Sequence, residues 1–144
     1  MSARARVEDA VLLWNNGRLE GAFLNALIAV AATARRRYPD RKDRDAFVGF
    51  LTDAMSVRLS VEYRGECQPV EYIFYKWLRC ELVHEGAIPV DIEFMQEDGL
   101  SVRAGGSPEY VLKLSLGWFH HLIGAVAHAP ENAIEFAARK EHPS

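Results

Sequence analysis

The sequence predicts a mainly helical domain with a small antiparallel β insertion, at about residues 90–114, ahead of the C-terminal helices. Three observations carry this. Four stretches before residue 86 repeat apolar residues at helical spacing, strict alternation takes over from Val90, and helical spacing returns at residue 116. A length of 144 residues suits one domain, 1–144, able to bury a core without staples.

The elements follow in order. Val7, Val11, Leu12 and Trp14 mark a first helix, stopped by Asn15-Asn16-Gly17. Residues 18–37 form a longer one, rich in alanine and leucine. It closes on Arg35, Arg36 and Arg37, whose charges suit a helix C-terminus, before Tyr38-Pro39 breaks it. Phe47, Phe50, Leu51, Met55 and Leu59 space a third helix over 42–60, and residues 65–69 read as a loop. The fourth helix, 70–85, carries a wide apolar stripe of Ile73, Phe74, Trp77, Leu78 and Leu82. Gly86 caps it and Pro89 confirms the stop. Val90, Ile92 and Phe94 then alternate as a strand. Gln96 to Gly99 make a turn, Leu100 and Val102 a partner strand, and Gly105-Gly106 its end. Residues 110–114 allow two readings. Alternation of Tyr110, Leu112 and Leu114 favours a third strand, while Ser107-Pro108-Glu109 could instead open one long helix. Residues 116–128 are helical either way. Pro130 opens a last short helix through Ala138, and the tail KEHPS should fray.

Composition narrows the function classes. Hydrophobic residues make up 49% and charged residues 26%, so the chain is neither disordered nor membrane-like. A net charge of −3 gives no global attraction to nucleic acid, and any such contact needs a local basic patch. Cys67 and Cys80 form no CxxC pair and fit free thiols in a reducing compartment. The apolar run Ala26–Ala34 is far short of a membrane span, and the first residues lack a signal-peptide core. The expectation is a cytoplasmic protein without membrane, metal or cofactor.

The stretch "WLRCELVHEG", residues 77–86, carries the chemistry. Arg79 and His84 lie about 140° apart around an ideal helix and ~7.5 Å along it, so a loosened last turn would be needed to bring them together. A guanidinium matches phosphate oxygens bidentately, and an imidazole can give or take a proton near neutral pH. Such a pair could cleave RNA without metal to a 2′,3′-cyclic phosphate, and a two-fold dimer would bring two of each to one cleft. The helix dipole alone also favours both residues at that position.

The arrangement resembles the HEPN superfamily: an apolar helix, Arg-x4-His at Arg79 and His84, then Gly86. The resemblance implies a HEPN-like helical bundle that dimerises, with RNA as substrate. Many such proteins are metal-independent endoribonucleases of toxin–antitoxin or phage-defence systems, which adds an antitoxin or other protein as partner. In that family a polar residue after the arginine helps orient the site. Here Cys80 stands there, and a thiol is a weak donor. The alternative implied is a non-catalytic RNA-, nucleotide- or partner-binding module with an eroded motif.

Arg35, Arg36, Arg37, Arg41, Lys42 and Arg44 form a basic cluster interrupted by Asp40 and Asp43. It could steer RNA phosphates or be a solvated helix end with internal ion pairs. His120, His121 and His128 lack an acidic or cysteine ligand at useful spacing and read as core or surface histidines. Cys80 with His84 could be a nucleophile and base, but no orienting third group is evident. Trp77, Trp118 and Phe119 read as core or dimer-interface rings, one of which could stack a base.

Overall fold

The computed structural model describes residues 2–105 and 111–137. The expectations about 106–110 and about residues 138–144 lie outside them. Ser2 caps α1 (Ala3–Asn15), its hydroxyl accepting from the Ala5 amide at 3.1 Å. Gly17 turns the chain at φ +73° into α2 (Leu19–Arg37). Helix α2 is the axis of the molecule. Its small side chains, among them Ala22, Ala26, Ala29 and Ala34, are fully or almost fully buried, which lets α1, α3 (Asp43–Asp53) and α6 (Gly117–Ala127) pack closely around it. Phe23, Phe47, Phe50, Phe74, Trp118 and Phe119 fill the spaces between. Burying each phenylalanine contributes roughly 1.5–3 kcal/mol.

Helix α3 ends at Asp53, not at residue 60. The chain beyond it forms a hairpin, whose second strand replaces the loop expected at 65–69. Strand β1 (Ser60–Tyr63) pairs antiparallel with β2 (Glu66–Pro69). Val61 and Tyr63 face inward while Ser60 and Glu62 face out, the two-residue period of a strand. Arg64 and Gly65 make the turn, both at positive φ (52° and 83°), as a two-residue hairpin loop requires. Arg64 adopts this conformation without a glycine's freedom. Its guanidinium is held by Asp91 at 2.9 and 3.1 Å and lies over the Trp77 ring at 4.3 Å. Burial pushes the Tyr63 hydroxyl pKa up, and its hydrogen bond to Asp91 pushes it further. Burial opposes ionisation of Asp91, but the bonds from Arg64 and Tyr63 outweigh it and hold that carboxyl below its usual range.

One continuous helix follows, in three parts: α4 (Val70–Ile73), a π-helical segment (Phe74–Arg79) and α5 (Cys80–Glu85). Gly86, in the left-handed region at φ +75°, terminates it as expected.

A helical bundle with an antiparallel insertion is not the architecture. Strand β5 (Leu112–Ser115) lies in the middle of a mixed sheet. It is parallel to β3 (Ile92–Met95) and antiparallel to β4 (Val102–Ala104), and β3 and β4 do not pair. Ile92, Leu112 and Leu114 are buried in the main core, and Phe94 stacks on Phe23 of α2 at 4.5 Å. The sheet is therefore a packed layer of a mixed α/β domain rather than an appendage. Gly117 starts α6 with its Cα against the Asp98 carbonyl, where no side chain would fit. A 3₁₀ turn (Pro130–Asn132) and α7 (Ala133–Ala137) close the described chain. Asn132 is fully buried and donates to Thr33 and to the Val126 carbonyl, both at 2.9 Å. Its oxygen accepts from Arg36 at 2.6 Å, tying this end to α2.

Candidate nucleic-acid interface

The six cations of the basic cluster separate into two sets. Those on the last turn of α2 are bound to acids or amides. Arg35 pairs with Asp43 at 3.2 Å, and Arg36 with Asn132 and with Glu135 at 2.6 Å. Arg37 is clamped by Glu131 at 2.7 and 2.9 Å and also meets Asp53 at 3.3 Å, above the Phe50 ring. The hydrogen bonds to Glu131 raise the Arg37 pKa further, and in return hold the Glu131 carboxyl below its usual value.

Arg41, Lys42 and Arg44 lie differently. Lys42 precedes α3 and Arg44 sits in its first turn, beside the π-helical region. A groove of about 710 Å³ is lined by Lys42, Asp43, Arg44, Tyr72, Tyr75 and Lys76. An adjoining one of about 460 Å³ shares Arg44 and Tyr72 and adds Arg41, Asp45, Val48, Gly49 and Pro69. Arg44 touches Asp45 at 3.5 Å on the open surface, a pair worth little. Among the described residues, no ion pair takes Arg41, Lys42 or Lys76. Arg41 stacks on the Tyr38 ring at 3.8 Å, and Lys76 lies 5.8 Å from the Tyr72 ring.

Arg79 borders this groove through Tyr75. Its guanidinium carbon is 5.6 Å from the Tyr75 ring centroid, and its Nε is buried without a hydrogen-bond partner. The two residues are four apart on one helix and so are neighbours on its surface, and wide turns of this kind recur at functional sites. His84 lies on the exposed last turn of α5, and no hydrogen bond joins it to Arg79 among the described residues. Cys80 is a half-buried free thiol and Cys67 an exposed one.

The sequence reading missed Tyr72, Tyr75 and Lys76. With Arg79 they stand at i, i+3, i+4 and i+7, so the signal was a polar–aromatic stripe beside the apolar one. Trp77 is packed between Tyr63 and Arg64, and Trp118 and Phe119 are buried, so none is an open stacking platform. His120, His121 and His128 line a separate cleft with Arg37 and Asp53. No group of three or more candidate ligands among the described residues is placed to hold a metal ion. No described helix is long and apolar enough to cross a membrane.

A protein-family model described as Rv1289 matches residues 2–142. The chain belongs to the Rv1289 family. No curated protein and no solved structure matches it. The Rv1289-family match spans the groove, the histidine cleft and the Arg79–His84 segment together. It supplies the family and no activity, so the reading of function rests on the side chains themselves.

Proposed function

We propose that this Rv1289-family protein binds single-stranded RNA along the groove between the start of α3 and the π-helical segment. One observation carries this: Arg41, Lys42 and Lys76, without a carboxylate partner among the described residues, share that surface with the rings of Tyr72 and Tyr75. Lysine and arginine neutralise phosphates and release counterions, while aromatic faces stack on any base, a combination that suits a single strand over a duplex. Arg79, with its unpartnered Nε beside Tyr75, supplies a further phosphate contact at the groove's edge. Asp43 and Asp45 in the same walls keep the affinity moderate.

The test is fluorescence anisotropy with a labelled 12-nucleotide oligouridylate and its duplex form, at several salt concentrations. The single strand should bind more tightly, with log affinity falling by about 0.7 per phosphate contact for each decade of salt. Equal binding of the duplex, or no binding at low salt, would sink the reading.

A second reading is metal-independent cleavage by Arg79 and His84 across a homodimer. The orphaned Arg79 Nε favours it; the exposed, unlinked His84 does not. RNA decay that disappears in His84→Ala and needs dimeric protein would establish it. Decay indifferent to that change would remove it.

A further inference from the structure

We infer that the histidine cleft beside the groove is a nucleobase pocket, which takes one unstacked base of the strand bound next to it. The inference rests on the reading of the groove as a single-strand site. The cleft has a volume of about 400 Å³, ample for one heterocycle. Most of its wall on α6 is one helical face, where His121, Gly124, Ala125 and the capping His128 follow at i, i+3, i+4 and i+7, with His120 beside them. His121 and His128 stand two turns apart, ~10.5 Å along the axis, with only a hydrogen and a methyl group between them. Phe50 of α3 and Ala54 just after it also line the cleft. Small apolar groups bounded by a few hydrogen-bonding ones are what a flat, edge-polar ring requires.

The polar groups are poised for such a ring rather than for an ion. Arg37 is already balanced by Glu131 and Asp53, so the cleft offers no spare cation to an anion. Asp53 uses Oδ2 for both Arg37 and Tyr38, and its Oδ1 makes no described hydrogen bond, leaving an acceptor for a base N–H. His128 Nδ1 lies 2.9 Å from the Gly124 carbonyl and must donate to it, so the neutral ring keeps Nε2 as an acceptor. His121 Nε2 is buried without a partner, and buried polar atoms are rarely left so. Burial also lowers the His121 pKa, which keeps that ring neutral at physiological pH.

Tyr38 joins the two sites. Its ring carries Arg41 and lies along Gly49, both lining the groove, and its hydroxyl donates to Asp53, which lines the cleft. A strand following the cations past Tyr38 would bring its next base to the cleft mouth.

The probes are the four free nucleosides, which carry a base and no phosphate, with inorganic phosphate as the contrasting arm. Trp118 lies edge-on to His121, ring centroids 5.7 Å apart, and reports occupancy by its fluorescence. At least one nucleoside should change that signal saturably, and phosphate should not. Gly124→Leu should weaken the response at least tenfold. Should that variant fail to fold, Gly124→Ala serves, since the added Cβ would meet only His128 Nδ1 at 3.9 Å. His128→Ala should weaken it as well. Lys42→Ala with Lys76→Ala should leave nucleoside binding intact while reducing strand binding, and this arm fails separately if only the groove reading is wrong. No saturable response to any nucleoside, a response to phosphate, or one that survives both cleft variants would overturn the pocket.

Discussion

Two neighbouring sets of cations, six residues in all, look alike in the sequence and do opposite things in the fold. Arg35, Arg36 and Arg37 close α2 and are engaged by Asp43, Asn132, Glu135, Glu131 and Asp53. Arg41, Lys42 and Arg44, a few residues on, stand at the rim of a groove with tyrosines and no strong carboxylate partner. Density of positive charge therefore says little about nucleic-acid contact. What separates a structural cation from a functional one is whether the fold supplies its counter-charge. Arg36 and Arg37 fasten the 3₁₀ turn and α7 to α2, Arg35 meets Asp43 of α3, and the second set is the one proposed to meet phosphate.

That contrast can be broken experimentally, and the largest effect should come from the open set. Lys42→Glu with Lys76→Glu should weaken oligouridylate binding about 100-fold at low salt, or about 2.8 kcal/mol at 1.4 kcal/mol per decade. Melting temperature should hardly move, since neither side chain has an ion-pair partner among the described residues. Arg37→Ala should reverse the pattern. It deletes charge-assisted hydrogen bonds to Glu131 and costs roughly 1.5–3 kcal/mol of stability in a urea titration, with a far smaller loss of strand affinity than the lysine pair shows. Equal effects of the two variants on both measurements would erase the distinction.

Smaller effects sharpen it further. Because burial lowers the His121 pKa, the unfolded chain binds a proton there more readily than the folded one, and stability should fall as pH drops below about 6.5. The slope should vanish in His121→Gln, as read by melting curves between pH 5 and 8. Glu131 and Glu135, held below the ordinary 4.5, add a second loss at lower pH, as the folded carboxylates become protonated. The smallest effect should be that of Cys80→Asn, a change of no more than about twofold in strand affinity, since Cys80 lines neither the groove nor the cleft. A gain of cleavage instead would restore the Arg79–His84 reading.

The helices were legible because each carries its own period. Gly86 and the Arg35–Arg37 terminus announced where two of them stop. The β structure was legible only where pairing is local. Val90, Ile92 and Phe94 signalled a strand, but its partner β5 lies beyond β4, and parallel pairing across such a crossover leaves no mark in either segment. The β1–β2 hairpin was different, since Val61 and Tyr63 alternate and Arg64-Gly65 supplies the turn. Met55 and Leu59, both packed against the core, imitated a longer third helix and hid it. At the site, the residues that could touch phosphate were mostly legible by type. Their sorting was not, because the carboxylates that neutralise Arg36 and Arg37 lie nearly a hundred residues downstream. The expected meeting of Arg79 with His84 required a loosened last turn. The wide turn ends at Arg79 instead, and Arg79 lies against Tyr75, four residues back, with the last turn that carries His84 left regular.

The π-helical segment has a consequence for the way this helix can vary. A stretch of π-helix amounts to an α-helix with an extra residue accommodated, so Val70–Ile73 and Cys80–Glu85 are out of phase in numbering while staying in phase in space. Removing one residue between Phe74 and Arg79 would let the helix close into regular α geometry without breaking it. The parts on either side would keep nearly the same relative orientation, because the wide turn spends one more residue on the same advance around the axis. In length variants of this chain, such a deletion would leave Leu82 on its buried face and redraw only the widened turn itself, whereas the same deletion in a regular helix would turn every later side chain by about 100°.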